Sequence, residues 1–426
     1  MVELKKEKTK HSVMHEDTQI AVVGAGPAGL ATAILLARSG VNTFLFDRPA
    51  QEGFQDLRTS ALMQASVQLL RSIGVWPQVA AHTAPLWVMR LIDATGRKLK
   101  AKNIDFDSHE LGSQPFGWNI PNNILVEALK GEAQNYPNLH IYETQGLEQI
   151  ELERTHVRLI FREAELTTTA KLVIGADGRQ SRVRSESRIQ TNKWRYNQTA
   201  IVCTFGHENP HNGISTEFHR SAGPLTLVPL DNNRSSLVWM EKPKIAEKLA
   251  ALGDSDFAQT LERTTNRILG EIRDIGPRQK FPISGLTARQ FALNRAMLVG
   301  EAGHVFPPIG AQGLNLGLRD GALAAELVDD ALREGLDPGN NLVLSEYDRR
   351  RRRDIMPRTV AIDFLNRSVM SDLLPFQGLR KFGIMALDKF GPLRRALMSR
   401  GIAPVHDLPR VMKPSETNLE ARIDFS

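Results

Sequence analysis

The chain has 426 residues, which is longer than one ordinary domain, so we expect two interleaved domains and a tail. Its hydrophobic content of 41% is ample for a core. Its single cysteine, Cys203, excludes a disulfide framework and a cysteine-rich metal site and fits a reducing cytoplasm. The net charge of +6 gathers in an arginine run over 349–353 and in 380–400, not in a stripe interleaved with aromatics, which argues against nucleic-acid binding.

The N-terminal segment, 1–17, is rich in Lys, His and Glu and lacks the apolar stretch of a secretory signal, so we predict a disordered tail. No apolar run approaches the roughly 20 residues that cross a bilayer. The following residues predict a strand, a G-x-G-x-x-G turn over 24–29, a helix, and a second strand that ends at Asp47. This order is typical of a dinucleotide-binding unit, in which the acidic residue binds ribose hydroxyls. A glycine-rich turn without a ligand is the alternative.

The rest of the chain predicts alternating helices and strands. Up to residue 185 the pattern predicts a helix over 59–74, a hairpin within 86–110, a helix from about 121, and strands at 139–143, 147–152, 156–161 and 171–175. A β-rich block follows, with strands at 199–206, 216–219, 225–229 and 235–240 and a helix near 244–269. From 340 to 400 the chain is helical and basic in pattern.

We therefore expect an α/β fold in which a doubly wound, Rossmann-like domain carries an inserted β-sheet domain and is followed by C-terminal helices. The predicted divisions are a dinucleotide-binding domain (18–75, 120–185 and 285–335), a substrate domain (76–119 and 186–284) and a C-terminal helical region (336–426).

Two further glycine-containing segments follow predicted strands. In 299–319, Glu301 ends a strand, a Pro-Pro pair and three glycines follow, and a helix is expected from Asp320, which together outline a phosphate-and-sugar site. In 175–184, a strand delivers Asp177, and Gly178 turns the chain into a helix. Arg184 there either pairs with a phosphate or locks the loop to its neighbours. A plain Asp-Gly turn is the alternative for this segment.

The motifs GAGPAG, GADGRQSRVR and GEAGHVFPPIGAQGLNLGLRD resemble, in this order and spacing, those of the single-component FAD-dependent aromatic hydroxylases with the para-hydroxybenzoate hydroxylase fold. The resemblance covers about 18–400. It is closest to the ubiquinone-biosynthesis branch, the 2-octaprenyl-phenol hydroxylases. The segments that carry this closer resemblance are 58–62, 70–76, 196–200, 207–211 and 218–229.

The resemblance implies FAD as the cofactor, with the pyrophosphate at the first turn, the adenosine ribose at Asp47 and the flavin side near Arg58. Glu301 stands where the family usually has aspartate, and Asn123 where many relatives have arginine or glutamine. The loop containing Pro308, Gly310 and Gly313 would lie along the isoalloxazine ring, where its backbone donors could stabilise negative charge. The cofactor-binding residues implied are Gly24, Gly26, Pro27, Ala28, Gly29, Asp47, Arg48, Arg58, Asn123, Asp177, Gly178, Glu301, Gly313, Leu314 and Asn315.

The implied reaction is hydroxylation of an aromatic ring. NAD(P)H reduces FAD, the reduced flavin and O2 form a flavin hydroperoxide, and its distal oxygen passes to the ring without a catalytic side chain. The substrate expected from the branch is a polyprenylated phenol or quinone precursor. The alternatives are a soluble phenol or aromatic acid, a flavin halogenase suggested by the tryptophan segment 117–121, and a non-catalytic FAD-binding assembly subunit.

Several residues have two possible interpretations. Cys203 is expected to be a core thiol rather than a nucleophile, and His304 to fix the glycine loop rather than to act in catalysis. No metal site is expected at His207 and His211, since Pro210 lies between them. We expect the arginine run 349–353 to be a solvated helix face, with binding of anionic lipid or of an acidic partner as the alternative. The amphipathic segment 373–400 either packs on the core or lies at a membrane surface, so partners include a possible peripheral membrane or quinone-biosynthesis complex.

Overall fold

The computed structural model describes residues 14–49, 56–95, 103–162, 166–308, 312–370, 395 and 407–414. The strands, in chain order, are β1 (Met14–Val23), β2 (Thr43–Asp47), β3 (Thr59–Met63), β4 (Ala84–Leu86), β5 (Val88–Asp93), β6 (Ile104–Asp107), β7 (Gly117–Pro121), β8 (Leu139–Glu143), β9 (Leu147–Leu152), β10 (Val157–Phe161), β11 (Leu166–Gly175), β12 (Thr191–His207), β13 (Ile214–His219), β14 (Leu225–Pro229), β15 (Arg234–Glu241), β16 (Ile272–Arg273), β17 (Gln279–Ala288), β18 (Ala292–Leu293), β19 (Ala296–Leu298) and β20 (His304–Val305).

The helices lie between these strands along the chain. They are α1 (Pro27–Arg38), α2 (Gln64–Ser72), α3 (Trp76–Val79), α4 (Asn122–Ala133), α5 (Arg182–Glu186), α6 (Pro243–Ala250), α7 (Asp254–Thr264), α8 (Gln312–Arg333) and α9 (Asn341–Met370), with short 3₁₀ turns at Ala80–His82, Ser108–Glu110, Gly300–Ala302 and Arg410–Met412. Within the described residues, no helix is both long enough and apolar enough to cross a bilayer.

The first sheet has the strand order β18-β19-β11-β1-β2-β8, and β9 and β10 extend it from β11. Strands β19, β11, β1, β2 and β8 run parallel, and most of their apolar residues are buried in one core cluster. In register, Val23 is level with Gly175 and Phe46, and Gly175 with Leu298. The carboxyl ends of these strands therefore lie side by side at one edge of a doubly wound sheet, which confirms the predicted fold class.

The second sheet has the order β20-β17-β12-β15-β14-β13-β5-β6, with β16 beside β12. One face is packed against α6 and α7 through residues such as Phe205, Leu237 and Trp239. The opposite face presents a smaller apolar cluster that includes Val202 and Met240. A three-stranded sheet, β3-β7-β4, joins this opposite face to the first sheet's helices.

Several predicted boundaries are wrong, and for β1 and β3 the reason is that strand pairing overrode the local pattern. Residues 14–17 are not part of a disordered tail, since β1 begins at Met14 and pairs with β11. Residues 59–63 form strand β3 against β7, so the predicted helix over 59–74 begins only at Gln64. The single helix near 244–269 is two helices, and α8 begins at Gln312 rather than Asp320.

Other predicted elements are confirmed. The pairing of β5 with β6 forms the expected hairpin, and α4 follows the Pro121-Asn122-Asn123 segment. Strands β8, β9 and β10 lie within one residue of their predicted bounds. The division into two domains stays a prediction; β17 spans its proposed boundary at 284/285.

Candidate functional site

The first glycine turn connects β1 to α1 and is shaped by close backbone contacts. Gly24 has φ +105°, and a Cβ there would overlap the Ala176 carbonyl on the neighbouring strand connection. A Cβ at Gly29 would overlap the carbonyl oxygen of Gly24. At Gly26, by contrast, nothing lies within 4 Å of an added Cβ. The turn is therefore packed on its inner side and open in front of the N-terminus of α1, which begins with Pro27 and Ala28.

The end of β2 lies against this turn. The backbone N–H of Ala25 donates to Asp47 Oδ1 at 3.3 Å, and Lys130 Nζ lies 3.5 Å from Asp47 Oδ2. The Asp47 carboxylate is thus held against the backbone of the turn. The guanidinium of Arg48, the next residue, contacts Gly146 and is exposed.

The loop after β11 is held by its own acid. The backbone N–H groups of Arg182 and Val183 donate to Asp177 Oδ2 at 2.6 and 3.1 Å, so this buried carboxylate caps α5. Burial raises the pKa of the Asp177 carboxyl, and hydrogen bonds from Ser181, Val183 and Arg182 only partly offset this. Gly178 turns the chain with φ +77°.

Arg184 locks this loop to the third one. Its Nη1 donates to the Ala302 carbonyl at 2.7 Å and its Nη2 to the Arg179 carbonyl at 3.0 Å. Of its two predicted roles, the structure shows the second, a cross-link between loops. The loops that follow β11 and β19 therefore form one unit.

The third turn follows β19 and brings α8 against α1. Gly300 has φ +61°, and its N–H donates to Asp320 Oδ2 at 2.8 Å. A Cβ at Gly317 would lie 3.2 Å from Gly300 Cα and 3.4 Å from the Ala28 side chain. This close approach brings the first turns of α1 and α8 together. Glu301, half-exposed, has Oε1 3.7 Å from Arg179 Nη2.

The first turn of α8 contains three of the predicted cofactor residues, which were expected to lie in a loop. Asn315 is buried: its Oδ1 accepts from Met63 N at 2.8 Å and from Ser66 Oγ at 2.7 Å, and its Nδ2 donates to Ala61 O at 2.8 Å. This side chain anchors α8 to β3 and α2, so a cofactor contact would come from its backbone.

The neighbours of Asn315 differ in exposure. Gly313 is exposed, with nothing within 4 Å of an added Cβ, whereas Leu314 packs partly against the core. Pro308 is exposed. Gly310 lies outside the described residues, so its predicted place along the flavin stays a prediction.

Arg58 lies immediately before β3. Its Nε and Nη2 both donate to the Asp56 carboxylate at 2.8 Å, and its Cζ lies 5.4 Å from the Phe281 ring of the second sheet. The hydrogen bond to Asp56 raises the pKa of Arg58 against the opposing effect of burial. Asn122 Nδ2 donates to the same carboxylate at 3.2 Å. Asn123, the predicted residue, is half-buried in the first turn of α4; sequence reasoning missed its neighbour Asn122.

A buried charge cluster behind the third turn was also missed. His304 Nε2 lies 2.7 Å from Asp320 Oδ2, and both side chains are buried. On α9, Arg351 Nη2 forms an ion pair with Asp320 Oδ1 at 2.6 Å. Asp354 binds Arg351 and two further guanidiniums. His304 thus fixes the glycine loop, as expected, but through strand β20 of the second sheet.

The expectation that 349–353 forms a solvated face is wrong for part of the run. Arg351 is only 2% exposed, and Arg350 bonds Glu326 and lies 3.0 Å from Asp407. Arg352 and Arg353 are exposed. Consecutive helical residues point in different directions, so one arginine of the run meets the buried carboxylates of α8 while others face solvent.

The remaining polar candidates have ordinary surroundings. His207 bonds the Asn209 carbonyl and the Ser235 hydroxyl, and His211 bonds backbone carbonyls of Leu230 and Asn232. Cys203 is buried, which raises the pKa of its thiol to about 12 and confirms a core thiol. In the described part of the chain, no group of three His, Cys, Asp or Glu side chains is arranged to hold a metal ion.

Comparisons with known proteins place this site in context. The model of a family described as FAD binding domain matches residues 17–359. The chain is 33% identical to the ubiquinone hydroxylase UbiL of Rhodospirillum rubrum, with 92% of each chain covered. It is 28% identical to the 3-demethoxyubiquinol 3-hydroxylase of Escherichia coli, over 89% of this chain and 97% of the other. Among solved structures, p-nitrophenol 4-monooxygenase PnpA of Pseudomonas putida DLL-E4 has the same fold, with a TM-score of 0.74 at 18% identity over 91% of this chain and 99% of that one.

Proposed function

The chain belongs to the FAD-binding domain family of FAD-dependent aromatic hydroxylases, and we propose that it uses NADH or NADPH and O2 to hydroxylate a polyprenylated phenol in ubiquinone biosynthesis. The observation that carries this proposal is the 33% identity, over 92% of both chains, to a ubiquinone hydroxylase. The same machinery acting on a soluble phenol is the alternative that the experiments below must separate.

The described residues fit FAD. The turn at Gly26 is open, and it faces outward at the N-terminus of α1, where unpaired N–H groups and the helix dipole favour a pyrophosphate. Asp47 accepts a hydrogen bond from Ala25 within that turn, which supports a role in binding the ribose. The first turn of α8, brought against α1 by Gly317, supplies a second set of backbone donors. We propose that these two helix starts hold the two ends of one cofactor.

When bound, FAD supplies the redox and oxygen chemistry of the hydroxylation. The chain's own task is to position an aromatic ring and to keep water from it. The opposite face of the second sheet suits this task, since it carries an apolar cluster and contacts residues 58 and 59 at the start of β3. Arg58 lies over Phe281, and Thr59 Oγ1 lies 2.8 Å from Ser236 Oγ.

The test begins with the purified protein and a synthetic probe, ortho-geranylphenol. FAD should co-purify, and the phenol should accelerate NAD(P)H oxidation, with one atom of isotopically labelled O2 appearing in the product. Comparing NADH with NADPH as the donor identifies the reductant. A protein that takes up no FAD would overturn every enzyme interpretation.

Lipid extracts of a deletion strain separate the two substrate classes. Accumulation of a prenylated phenol and loss of quinone support the proposal, and restoration by the wild-type gene is the control. Normal quinone levels, together with turnover of phenols that lack a prenyl chain, would favour the soluble-phenol alternative.

We also propose peripheral association with a membrane or with a quinone-biosynthesis complex, because a polyprenylated substrate partitions into lipid. On α9, Val360 is 67% exposed and Met356 is 38% exposed, next to exposed arginines. The segment 373–400, predicted to be amphipathic, lies outside the described residues. Flotation with vesicles containing anionic lipid should carry the protein upward, and recovery only in the unbound fraction would contradict the association.

A further inference from the structure

The face of the second sheet that meets β3 carries one buried polar pair. His219 Nε2 lies 2.7 Å from Glu217 Oε1, and the two side chains are only 11% and 16% exposed. They stand two residues apart on β13, so both point to the same side. Phe218, between them, packs with α6 and α7 on the other side. The pair therefore belongs to the face opposite the helices.

A row of directly paired residues links this pair to the centre of the sheet. Glu217 is opposite Thr226, Thr226 is opposite Val238, and Val238 is opposite Val202. Directly paired residues of antiparallel strands share a face. Thr226 and Val238 remain half-buried, whereas Leu225 and Leu237 on the helix side are fully buried. This face is therefore partly open along the row, at Thr226 and Val238.

The same face also contacts the proposed cofactor side. Ser236 on β15 bonds Thr59, and Phe281 on β17 lies under Arg58. Strand β13 is two positions from β15, and neighbouring strands are about 4.8 Å apart, so the pair lies roughly 10 Å from β15 across the sheet. Glu217 is level with Val238, two residues along the strand from Ser236. That span suits an aromatic ring held between the polar pair and the cofactor side.

This pair differs from the other buried histidines of the described chain. His207 joins β12 to β15, and His304 joins β20 to α8, so each cross-links separate elements. The hydrogen bond of His219 goes to its own strand and joins nothing. The Glu217 carboxylate has one further contact, with Thr226 Oγ1 at 3.5 Å, at the limit of a hydrogen bond. Support of the fold therefore does not account for the pair.

We infer that Glu217 and His219 bind the hydroxyl of a phenolic substrate and accept its proton, an inference that rests on the proposed function. Glu217 accepts from Nε2–H, which fixes the tautomer and leaves Nδ1 as the acceptor. The phenol O–H bond breaks, an N–H bond forms at Nδ1, and the electron pair stays on the oxygen. The phenolate ring is richer in electrons, and the Glu217 carboxylate stabilises the imidazolium.

The test uses the FAD-loaded full chain and ortho-geranylphenol. Glu217→Gln and His219→Gln keep the size and polarity of each side chain but remove the charge and the base. We expect turnover to fall about 100-fold or more, with FAD content and NAD(P)H-binding behaviour unchanged. The matched control is His109→Gln, because His109 also pairs with an acid two residues away, Asp107, but is 63% exposed. It should retain wild-type turnover.

A difluorinated analogue of the same phenol, whose hydroxyl is more acidic, distinguishes a proton acceptor from a structural role. Turnover by His219→Gln should recover at least tenfold relative to the unfluorinated probe, because the substrate ionises unaided. Equal loss on both phenols, or variants as active as the wild type, would overturn the role of the pair and leave the proposed function standing. A wild type that holds FAD and converts neither phenol would overturn the proposed function itself.

Discussion

The turn at Gly24 and the turn at Gly300 end two strands of one sheet, and they are held in different ways. The Gly24 turn is closed by backbone contacts with Gly29 and with the connection after β11. In the Gly300 turn, the N–H of Gly300 donates to Asp320, which lies 20 residues further along the chain. The Asp320 carboxylate also contacts His304 and forms an ion pair with Arg351 of α9. An added side chain should therefore destabilise the Gly24 turn, whereas removal of a distant charged side chain should destabilise the Gly300 turn.

The largest effect is expected for Arg351→Ala. This substitution removes the guanidinium that is paired with the buried Asp320, and breaking a buried pair on one side costs about 3–5 kcal/mol. Urea unfolding of the FAD-saturated protein measures the loss. Arg353→Ala, at an exposed position of the same run, should stay within about 0.5 kcal/mol of wild type. Equal stability of the two variants would mean that the turn does not depend on α9.

Gly29→Ala tests the other turn. The added methyl overlaps the Gly24 carbonyl, so the turn must open, which costs about 1–3 kcal/mol and should release FAD. FAD retention after gel filtration and thermal unfolding are the measurements. Gly131→Ala is the control, because Gly131 is an exposed position of α4 and an added Cβ there has no neighbour within 4 Å. This substitution should stabilise the protein by about 0.5–1 kcal/mol. Full FAD retention in Gly29→Ala would refute the packed-turn account.

The free energy of unfolding should also depend on pH, because the buried charge cluster contains Asp354. Burial opposes ionisation of Asp354, but Arg319, Arg351 and Arg358 outweigh it and hold the pKa of Asp354 well below its usual range. Because the folded-state pKa is lowered, the stabilisation is complete above the unfolded-state pKa of about 4 and is lost as the pH falls below it. Denaturant unfolding between about pH 5 and pH 3 should show this loss. Asp354→Asn should flatten the slope, and an unchanged slope would contradict the assignment.

The smallest effect is expected for Glu301→Gln. Glu301 is half-exposed, 3.7 Å from Arg179, so solvent screens its charge, and the variant should raise the Kd for FAD by a factor of about 2 to 5. Titration of the apoprotein with FAD measures this change in Kd. The control is Glu334→Gln, at an exposed position directly after α8. Identical affinity in wild type and Glu301→Gln would remove Glu301 from the cofactor site.

The cofactor side could be predicted from local signals. The turn at 24–29, the acid at Asp47 and the strands that precede them follow each other within one short unit, so their geometry is set by glycine conformations and by strand register. The assignment to FAD-dependent aromatic hydroxylases is confirmed by the family match and by the relatives. The individual cofactor contacts stay predictions, although Asp47 and the Gly24 turn are adjacent as expected.

The substrate side could not be predicted in the same way. No sequence pattern identified Glu217 and His219, because their proposed role depends on which face of β13 they occupy and on which residues of β14 and β15 lie beside them. Asn122, next to the predicted Asn123, is likewise recognised only through its bond to Asp56. Residues 349–353 were misjudged because a run of like charges does not show which member meets buried carboxylates.

The parallel sheet, the glycine turns and the cofactor class are predictable from the sequence, since these depend on short-range backbone geometry and on residues close together in the chain. The folded chain was needed to show that Asn315 anchors α8, that Arg351 is buried, and that β20 joins the second sheet. The reason is physical: hydrogen bonds and ion pairs between distant residues depend on the relative placement of packed elements, and that placement is a property of the whole chain.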